Sequence, residues 1–175
     1  MNCPENNAAE DCRVKRYLTK VISGGQTGVD RAGLDAAIGT GIPIGGYCPA
    51  GRRADDGTIP SQYPLVETAS REYPVRTRIN VEEADGTLII ISGSSDRGTQ
   101  LTASISKQKR KPLLIIDLEN VPEESTAINW IQINNIQILN IAGPRESSSP
   151  GIYWSAMNYL RQLFELLNGE NVPHR

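Results

Sequence analysis

The chain has 175 residues, a length typical of one domain. Its 18 Lys and Arg against 20 Asp and Glu give a net charge of -2, which argues against a protein that tracks the phosphates of a nucleic acid. The longest aliphatic runs, residues 88–91 and 113–116, are far too short to cross a bilayer, and this excludes a membrane-spanning protein.

The histidine and cysteine content limits the chemistry further. The single histidine, His174, is next to last in the chain, where a catalytic triad or a zinc site would have to be built on a frayed end. The three cysteines, Cys3, Cys12 and Cys48, are odd in number and lack C-x-x-C spacing. The N-terminal segment shows no basic stretch followed by an apolar one, so no signal peptide is visible. We therefore expect a cytoplasmic protein and assign it no metal site.

Hydrophobic patterns predict a flexible arm over residues 1–15 and a single domain over residues 16–175, in which strands alternate with helices. The predicted strands are 17–23, 42–46, 87–92, 113–117 and 136–142. The predicted helices are 29–37, 75–84, 97–107, 122–131 and 151–167, and residues 49–64 form a long connection. Short aliphatic strands that alternate with helices indicate a parallel sheet covered on both faces. The fold class that we predict is α/β, a three-layer Rossmann-like doubly wound sheet, mainly parallel, with about five strands.

The basic run at residues 107–111 lies between a predicted helix and a predicted strand. A solvated helix end, which the helix dipole favours, explains it better than a nucleic-acid patch. Nucleic acid is therefore not among the expected partners.

The loop at residues 23–31 follows the first strand and leads into the first helix. Its glycines allow a close approach of the backbone to a ligand, and the helix N-terminus offers N–H groups to an anion. It is neither a Walker A loop nor a G-x-G-x-x-G motif. The structural alternative is a glycine turn into a helix capped by Thr27 or Asp30, with Arg31 and Asp35 as an i,i+4 pair.

Two further loops follow strands at the same edge. Residues 92–99 are rich in Ser and Gly and are typical of an oxyanion cradle. Residues 143–151 contain Arg145, which either contacts a phosphate or carboxylate in a bidentate manner or forms an ion pair with Glu146 or another nearby acid. The sequence leaves these two roles of Arg145 open.

The long segment after the second strand carries residues of several chemistries. Tyr47 could stack on a planar ring, and Arg52 and Arg53 could clamp an anion. Cys48 could be a nucleophile or a soft metal ligand, but neither a neighbouring His nor a second Cys supports either role. An inert, small hydrophobic residue is therefore the preferred interpretation of Cys48. Asp55 and Asp56 could hold a cation, although turn formation before a glycine is the preferred interpretation.

Several motifs carry a family resemblance over residues 21–167. They are G-G-Q-T-G-V-D-R-A at 24–32, G-Y-C-P at 46–49, Arg52, D-G-T-I-P at 56–60, Arg76-Thr77, Asn80-Val81, D-G-T-L-I at 85–89, Gly98-Thr99, Thr102 and A-G-P-R-E-S at 142–147. Together, and in this order, they resemble the molybdenum carrier (molybdenum cofactor carrier protein) family. The resemblance implies a Rossmann-like homo-oligomer, a dimer or tetramer, that binds molybdenum cofactor, a phosphorylated pterin dithiolene.

A more distant resemblance connects the chain to the lysine-decarboxylase-like (LOG) nucleotide phosphoribohydrolases. Their P-G-G-x-G-T-x-x-E signature holds phosphate through its glycines and cleaves an N-glycosidic bond through its glutamate. Thr102 stands where that glutamate would be, and a threonine has no accessible acid–base pKa. The resemblance therefore implies a phosphate-binding protein without an assigned catalytic residue, and favours a carrier over an enzyme.

The expected ligand is molybdenum cofactor (molybdopterin) or a related phosphorylated pterin, with its phosphate or another oxyanion held by the glycine-rich loops. The residues assigned to this cofactor-binding site are Gly24, Gly25, Gln26, Thr27, Gly28, Asp30, Arg31, Tyr47, Arg52, Ser92, Gly93, Gly98, Thr99, Thr102, Arg145, Glu146 and Ser147. One alternative is a sensor or hydrolase of nucleotide derivatives that uses Asp30, Asp56 or Glu146 as acid or base. The other is a structural oligomer with an empty cleft.

Two expectations concern assembly and substitution. The last helix has two apolar stripes, and the second one, which includes Met157 and Phe164, predicts a subunit interface; the alternative is a helix buried on two sides within one subunit. The substitution Gly25→Asp is expected to block ligand binding without touching the hydrophobic core.

Overall fold

The computed structural model describes residues 17–169, so the predicted arm at 1–15 lies outside the described residues. In chain order the elements are β1 Lys20–Ile22, α1 Val29–Gly39, β2 Ile44–Gly45, β3 Tyr47–Cys48, β4 Arg53–Ala54, β5 Gly57–Thr58, β6 Val66–Glu67, α2 Tyr73–Glu83, β7 Gly86–Ile91, α3 Arg97–Gln108, β8 Leu113–Asp117, α4 Glu124–Ile133, β9 Ile138–Ala142 and α5 Ile152–Gly169. No helix within this range is long and apolar enough to cross a membrane.

The central sheet has five strands in the order β2-β1-β9-β7-β8, and every neighbouring pair is parallel. Helices cover both faces of this sheet, so the predicted Rossmann-like three-layer α/β fold is confirmed. The five predicted strands and five predicted helices all exist, with ends that differ by a few residues. The long connection contains two additional two-stranded sheets, β3-β6 and β4-β5. Strands of two residues leave no periodic pattern in a sequence, which is why they were not predicted.

The larger core fills one face of the sheet. Leu88, Ile90 and Ile141 point to this face and are fully buried against α1, α4 and α5. The opposite face, which α2 and α3 cover, includes the buried pair Asn140 and Thr87, whose side chains are joined by a hydrogen bond of 3.2 Å. Because side chains alternate along a strand, apolar and polar residues of the same strands reach different layers.

A second, smaller core fixes the long connection to α1. Its buried members are Leu34, Cys48, Ile59, Tyr63 and Leu65. Burial raises the pKa of the Cys48 thiol, so this position suits a small hydrophobe better than a nucleophile.

The helix α5 is buried on two sides within the subunit. Leu160 and Phe164 of its second apolar stripe are fully buried, and Tyr153 and Met157 pack against the main core. The argument that this stripe needs a partner subunit is therefore wrong, because α1 and α4 of the same subunit pack against α5. The homo-oligomer itself stays a prediction.

Candidate functional site

Three loops meet at the carboxyl edge of the sheet because β1, β9 and β7 are neighbours in it. Two cavities lie at these loops. We call the first the arginine cleft; it has a volume of about 210 Å³ and is lined by Gln26, Asp30, Tyr73, Pro74, Arg76, Thr77, Asp96, Arg97, Gly98, Leu101, Thr102, Ala142, Gly143 and Arg145. We call the second the aspartate pocket; it has a volume of about 650 Å³ and is lined by Thr27, Gly28, Arg31, Asp35, Asp55, Asp56, Tyr63, Glu146, Ser147 and Tyr153.

Three arginines from different elements line the arginine cleft. Arg76 comes from α2, Arg97 begins α3, and Arg145 follows β9. The ring of Tyr73 lies near two of them, with centroid distances of 6.0 Å to Arg76 and 5.9 Å to Arg145, and also near Arg53 at 5.8 Å. The cleft thus gathers positive charge in a chain whose net charge is -2.

Asp30 is the buried carboxylate of this cleft. Its Oδ2 lies 3.3 Å from Nη1 of Arg76 and accepts a hydrogen bond of 3.3 Å from the N–H of Gln26. Burial raises the pKa of Asp30, and the charge of Arg76 opposes that rise only in part. The Nε of Arg76 is buried without a hydrogen-bond partner among the described residues, so this guanidinium retains a donor.

The glycines of the β1–α1 loop are required by protein contacts. A Cβ on Gly24 would collide with the guanidinium of Arg76, and a Cβ on Gly28 would lie 2.5 Å from the carbonyl oxygen of Pro144. Gly25 has a φ of +74°, and its Cβ would lie 2.5 Å from Cδ1 of Leu65 in the smaller core. The expectation that Gly25→Asp spares the core is therefore wrong, because the added side chain would point into that core.

The β7–α3 loop is divided between two environments. Gly98 and Thr102 line the arginine cleft, and Thr99 is tied by N–H and hydroxyl to the capping carboxylate of Asp96, both at 2.8 Å. Ser92 and Gly93 instead contact two carboxylates, one at the end of β8 and one just after it. The N–H of Gly93 donates to Asp117 at 2.9 Å, and the Ser92 hydroxyl donates to Glu119 at 3.4 Å.

Neither Ser92 nor Gly93 is among the residues that line the two cavities. Their role in an oxyanion cradle stays a prediction. The two N–H donors at Gly93 and Glu119 hold the pKa of Asp117 below its usual range, which keeps that carboxylate charged.

The aspartate pocket is organised around Asp35 of α1. Its carboxylate accepts hydrogen bonds from the hydroxyls of Tyr63 at 2.9 Å and Tyr153 at 2.7 Å. Arg31 does not pair with Asp35 as the structural alternative proposed; its Nη1 and Nη2 lie 2.5 and 2.8 Å from the carboxylate of Asp56. The hydrogen bond from Arg31 lowers the pKa of Asp56.

The proposed caps of α1 are also corrected. Gly28 is the N-cap and no side chain caps the helix. Asp30 lies in the first turn, and the Thr27 hydroxyl accepts a long contact of 3.4 Å from the N–H of Glu146. The positive φ of Gly28 allows the chain to pass close to the β9–α5 loop, which decides this helix start.

Asp55 joins the two cavities. It lines the aspartate pocket, while its Oδ1 lies 2.6 Å from Nη1 of Arg145, which lines the arginine cleft. Its Oδ2 accepts from the hydroxyl of Ser147 at 2.5 Å, and its N–H donates to Oε1 of Gln26 at 2.8 Å. Glu146 is not the partner of Arg145, because its carboxylate accepts the N–H groups of Gly151 and Tyr153 at the start of α5.

Seven predicted site residues are not among the lining of either cavity: Gly24, Gly25, Tyr47, Arg52, Ser92, Gly93 and Thr99. The contacts of Arg52 and Tyr47 show what these two do instead. The guanidinium of Arg52 donates to the carbonyls of Ile59, Pro60, Tyr63 and Leu65 at 2.8–3.1 Å, so it holds the long connection together. Tyr47 exchanges two backbone hydrogen bonds with the Asn80 side chain, of 2.8 and 3.0 Å, and lies in a small depression beside Lys20.

Sequence reasoning missed the contributions of Tyr73, Arg76 and Arg97 to the cleft, and it gave no site role to Asp35. It searched the loops that follow strands, whereas Tyr73 and Arg76 belong to a helix of the opposite layer. The one available signal was the Arg76-Thr77 pair among the family motifs. Among the described residues, no group of three or more His, Cys, Asp or Glu could hold a metal ion.

Comparisons with known proteins agree with this architecture. Residues 21–164 match the model of the circularly permutated YpsA SLOG family. The crystal structure of the putative molybdenum carrier protein from Syntrophus aciditrophicus SB is 45% identical, with a TM-score of 0.80 over 85% of this chain and 96% of that chain. No curated protein matches the chain.

Proposed function

The chain belongs to the circularly permutated YpsA SLOG family, and on that premise we propose that it is a binding or carrier protein for a phosphorylated pterin of the molybdenum cofactor type. The observation that carries the proposal is the convergence of Arg76, Arg97 and Arg145 on one cleft at the start of α3. The similar structure that is named a putative molybdenum carrier protein supports the choice of ligand. The pterin is cargo in this proposal, not a resident cofactor.

The donor set of the arginine cleft fits a phosphate group. Guanidinium groups bind phosphate oxygens through paired, charge-assisted hydrogen bonds. The first turn of α3 adds the N–H groups of Arg97 and Gly98, and a helix N-terminus favours an anion by roughly 0.3–1 kcal/mol. Two carboxylates also line the cleft, but Asp96 is engaged as the cap of α3, and Asp30 is paired with Arg76.

The sizes of the cavities are consistent with a ligand that extends beyond its phosphate. The arginine cleft, at about 210 Å³, is smaller than the roughly 300–1,000 Å³ of typical ligand pockets. It suits a phosphate, whereas a pterin needs additional space. The proposal includes a cytoplasmic location, which the odd number of cysteines without disulfide spacing supports.

The experiment that tests the proposal is a calorimetric titration with inorganic phosphate. We expect Arg97→Gln to weaken phosphate binding about tenfold, because one charge-assisted pair is lost. The matched control is Arg161→Gln, which removes the same charge from an exposed ion pair with Glu165 on α5. Equal affinities for phosphate in both variants would contradict the proposed cleft. Mass spectrometry of the ligand retained through native purification would identify the pterin.

A hydrolase of nucleotide derivatives is the second candidate, favoured by the position of Asp30. This carboxylate lines the arginine cleft, and burial raises its pKa, which suits a general acid. In such a reaction the C–N glycosidic bond breaks, water supplies the hydroxyl to the sugar carbon, and the leaving base takes a proton. Chromatography of nucleoside monophosphates incubated with the protein tests this candidate. Release of free base that disappears in Asp30→Asn would favour the hydrolase over the carrier.

A further inference from the structure

We propose that the aspartate pocket is a second subsite of the same binding site and that it binds the N–H edge of a 2-amino-4-oxopyrimidine ring through Asp35. This inference rests on the proposed function, because the phosphate of the same molecule would occupy the arginine cleft. The ring in question is the donor-bearing ring of a pterin, which guanine shares.

The two cavities are adjacent along the chain and in space. Gln26 lines the arginine cleft, and Thr27, the next residue, lines the aspartate pocket. The ion pair of Asp55 and Arg145 connects one wall of each cavity at 2.6 Å. A molecule with a phosphate in the smaller cavity therefore has the larger one, of about 650 Å³, as the nearest space for its ring.

Asp35 is a half-buried carboxylate that retains hydrogen-bonding capacity. Its described partners are the hydroxyls of Tyr63 and Tyr153, and the neighbouring Arg31 pairs with Asp56 instead. Burial, with Asp35 itself, raises the pKa of Tyr63 to about 12 and also raises that of Tyr153, so both hydroxyls remain protonated donors at neutral pH. An ionised carboxylate has about four lone-pair sites, so two hydroxyl donors leave acceptor capacity toward the pocket.

The chemistry of this carboxylate selects a ring with two adjacent donors. The 2-amino group and the neighbouring ring N–H of a 2-amino-4-oxopyrimidine are arranged like the donors of a guanidinium, which bind a carboxylate in a bidentate manner. Adenine does not present such a pair. The ring of Tyr153, which is half-buried and lines the pocket, adds apolar surface for a planar ligand.

The other carboxylates of the pocket are already engaged, so they compete poorly for the ring. Asp56 pairs with Arg31, and Asp55 binds Arg145 and Ser147. Glu146 accepts two backbone N–H groups at the start of α5. Asp35 is consequently the carboxylate that we assign to the ring.

A matched pair of ligands tests the inference on the unmodified chain. The first is the phosphate ester of 6-hydroxymethylpterin, and the second is the corresponding lumazine, in which an oxo group replaces the 2-amino group. We expect the pterin to bind at least tenfold more tightly, because the lumazine turns an oxygen toward the carboxylate. Guanosine and inosine monophosphates form a second pair that differs in the same amino group. If the protein distinguishes the two purine nucleotides but not the pterin from the lumazine, the pocket binds the same N–H edge in a guanine nucleotide.

A substitution then locates the discrimination. Asp35→Asn keeps the size of the side chain but replaces one acceptor by a donor, so we expect the preference within each pair to fall at least tenfold. Affinity for inorganic phosphate should stay within twofold, and Glu165→Gln on the exposed face of α5 serves as the control. If Asp35→Asn fails to fold, as thermal unfolding would show, the ligand pairs on the unmodified chain still decide.

The outcomes separate the two proposals. If inorganic phosphate does not bind to the unmodified chain, the proposed function fails. If phosphate binds but both ligand pairs bind equally, only the second subsite is overturned. If the preference persists in Asp35→Asn, the ring is held elsewhere and the assignment to Asp35 is wrong.

Discussion

The guanidinium of Arg76 contacts two residues of the arginine cleft, Asp30 and Tyr73, and the neighbouring Gly24. It packs against the backbone at Gly24, lies 3.3 Å from Asp30, and approaches the ring of Tyr73. A side chain at position 24 would therefore have to displace this guanidinium. The same arginine partly neutralises a carboxylate that burial would otherwise disfavour.

Gly24→Ala is the substitution that tests this packing. The added Cβ would displace the Arg76 guanidinium, whereas the backbone at Gly24 lies outside the positive-φ region and accepts alanine. We expect a loss of about 1–3 kcal/mol in the free energy of unfolding and a weaker affinity for phosphate. Urea unfolding and phosphate titration measure the two effects.

Gly39→Ala provides the matched control, since nothing lies within 4 Å of a Cβ at that position near the end of α1. We expect its stability to be unchanged or slightly higher, because alanine restricts the unfolded chain. An equal loss of stability in both variants would contradict the role of Arg76 in the requirement for glycine at position 24.

The raised pKa of Asp30 predicts a pH dependence of stability. A carboxyl group whose pKa is higher in the folded state binds more protons there than in the unfolded chain. The contribution of Asp30 to the free energy of unfolding should thus fall as pH rises above the unfolded pKa of about 4. The free energy of unfolding of the native chain minus that of Asp30→Asn should therefore decrease from pH 4 to pH 7. A difference that grows with pH would mean that Arg76 outweighs burial.

At the scale of elements, the long connection between β2 and α2 is held by two devices. The smaller core buries Ile59, Tyr63 and Leu65 against α1. The Arg52 guanidinium binds carbonyls at both ends of the turn that contains these residues. Since this segment supplies Asp55 and Tyr63 to the aspartate pocket, its stability determines the shape of that pocket.

Arg52→Lys should destabilise this segment despite the conserved charge. A lysine ammonium is a single point and cannot reach four carbonyls that the planar guanidinium spans. We expect a loss of about 1–3 kcal/mol in unfolding free energy and faster proteolysis within residues 49–65. Arg78→Lys, at an exposed position of α2, is the control and should be neutral. Resistance to proteolysis equal to that of the native chain would contradict the role of Arg52.

For the whole molecule, the homo-oligomer of the family resemblance stays a prediction. The second stripe of α5 no longer supports it, because Leu160 and Phe164 are buried within the subunit. Exposed apolar residues remain on the surface, among them Trp154 at 68% and Ile133 at 79% of their full exposure.

We expect sedimentation equilibrium at micromolar concentrations to give a dimer or tetramer, with an interface that includes part of this exposed apolar surface. In that case, Trp154→Arg or Ile133→Arg should shift the equilibrium toward monomer while circular dichroism stays unchanged. A monomer throughout this concentration range would contradict the prediction.

The secondary structure could be predicted almost completely from the sequence. Residues 88–91 and 113–116 are short continuous aliphatic runs, which are typical of parallel strands, and the helical spacing of apolar residues marks α1 and α5. The first run is largely buried in an interior strand of the sheet, whereas the second forms an edge strand whose Ile115 is exposed. These signals arise from residues that are close together in the chain, so a single sequence is enough to detect them. The two small sheets of the long connection escaped because each strand has two residues.

The sequence by itself determined the three-layer fold and the edge of the sheet at which the glycine-rich loops meet. It did not determine which side chains share a cavity, because ion-pair partners are chosen by distance in space. Arg31 thus pairs with Asp56, 25 residues away, and not with Asp35 one turn along its own helix. The packing of α2 against the sheet brings Arg76 to Asp30, while Asp117 at the end of β8 binds the N–H of Gly93. Only the tertiary structure could decide these contacts.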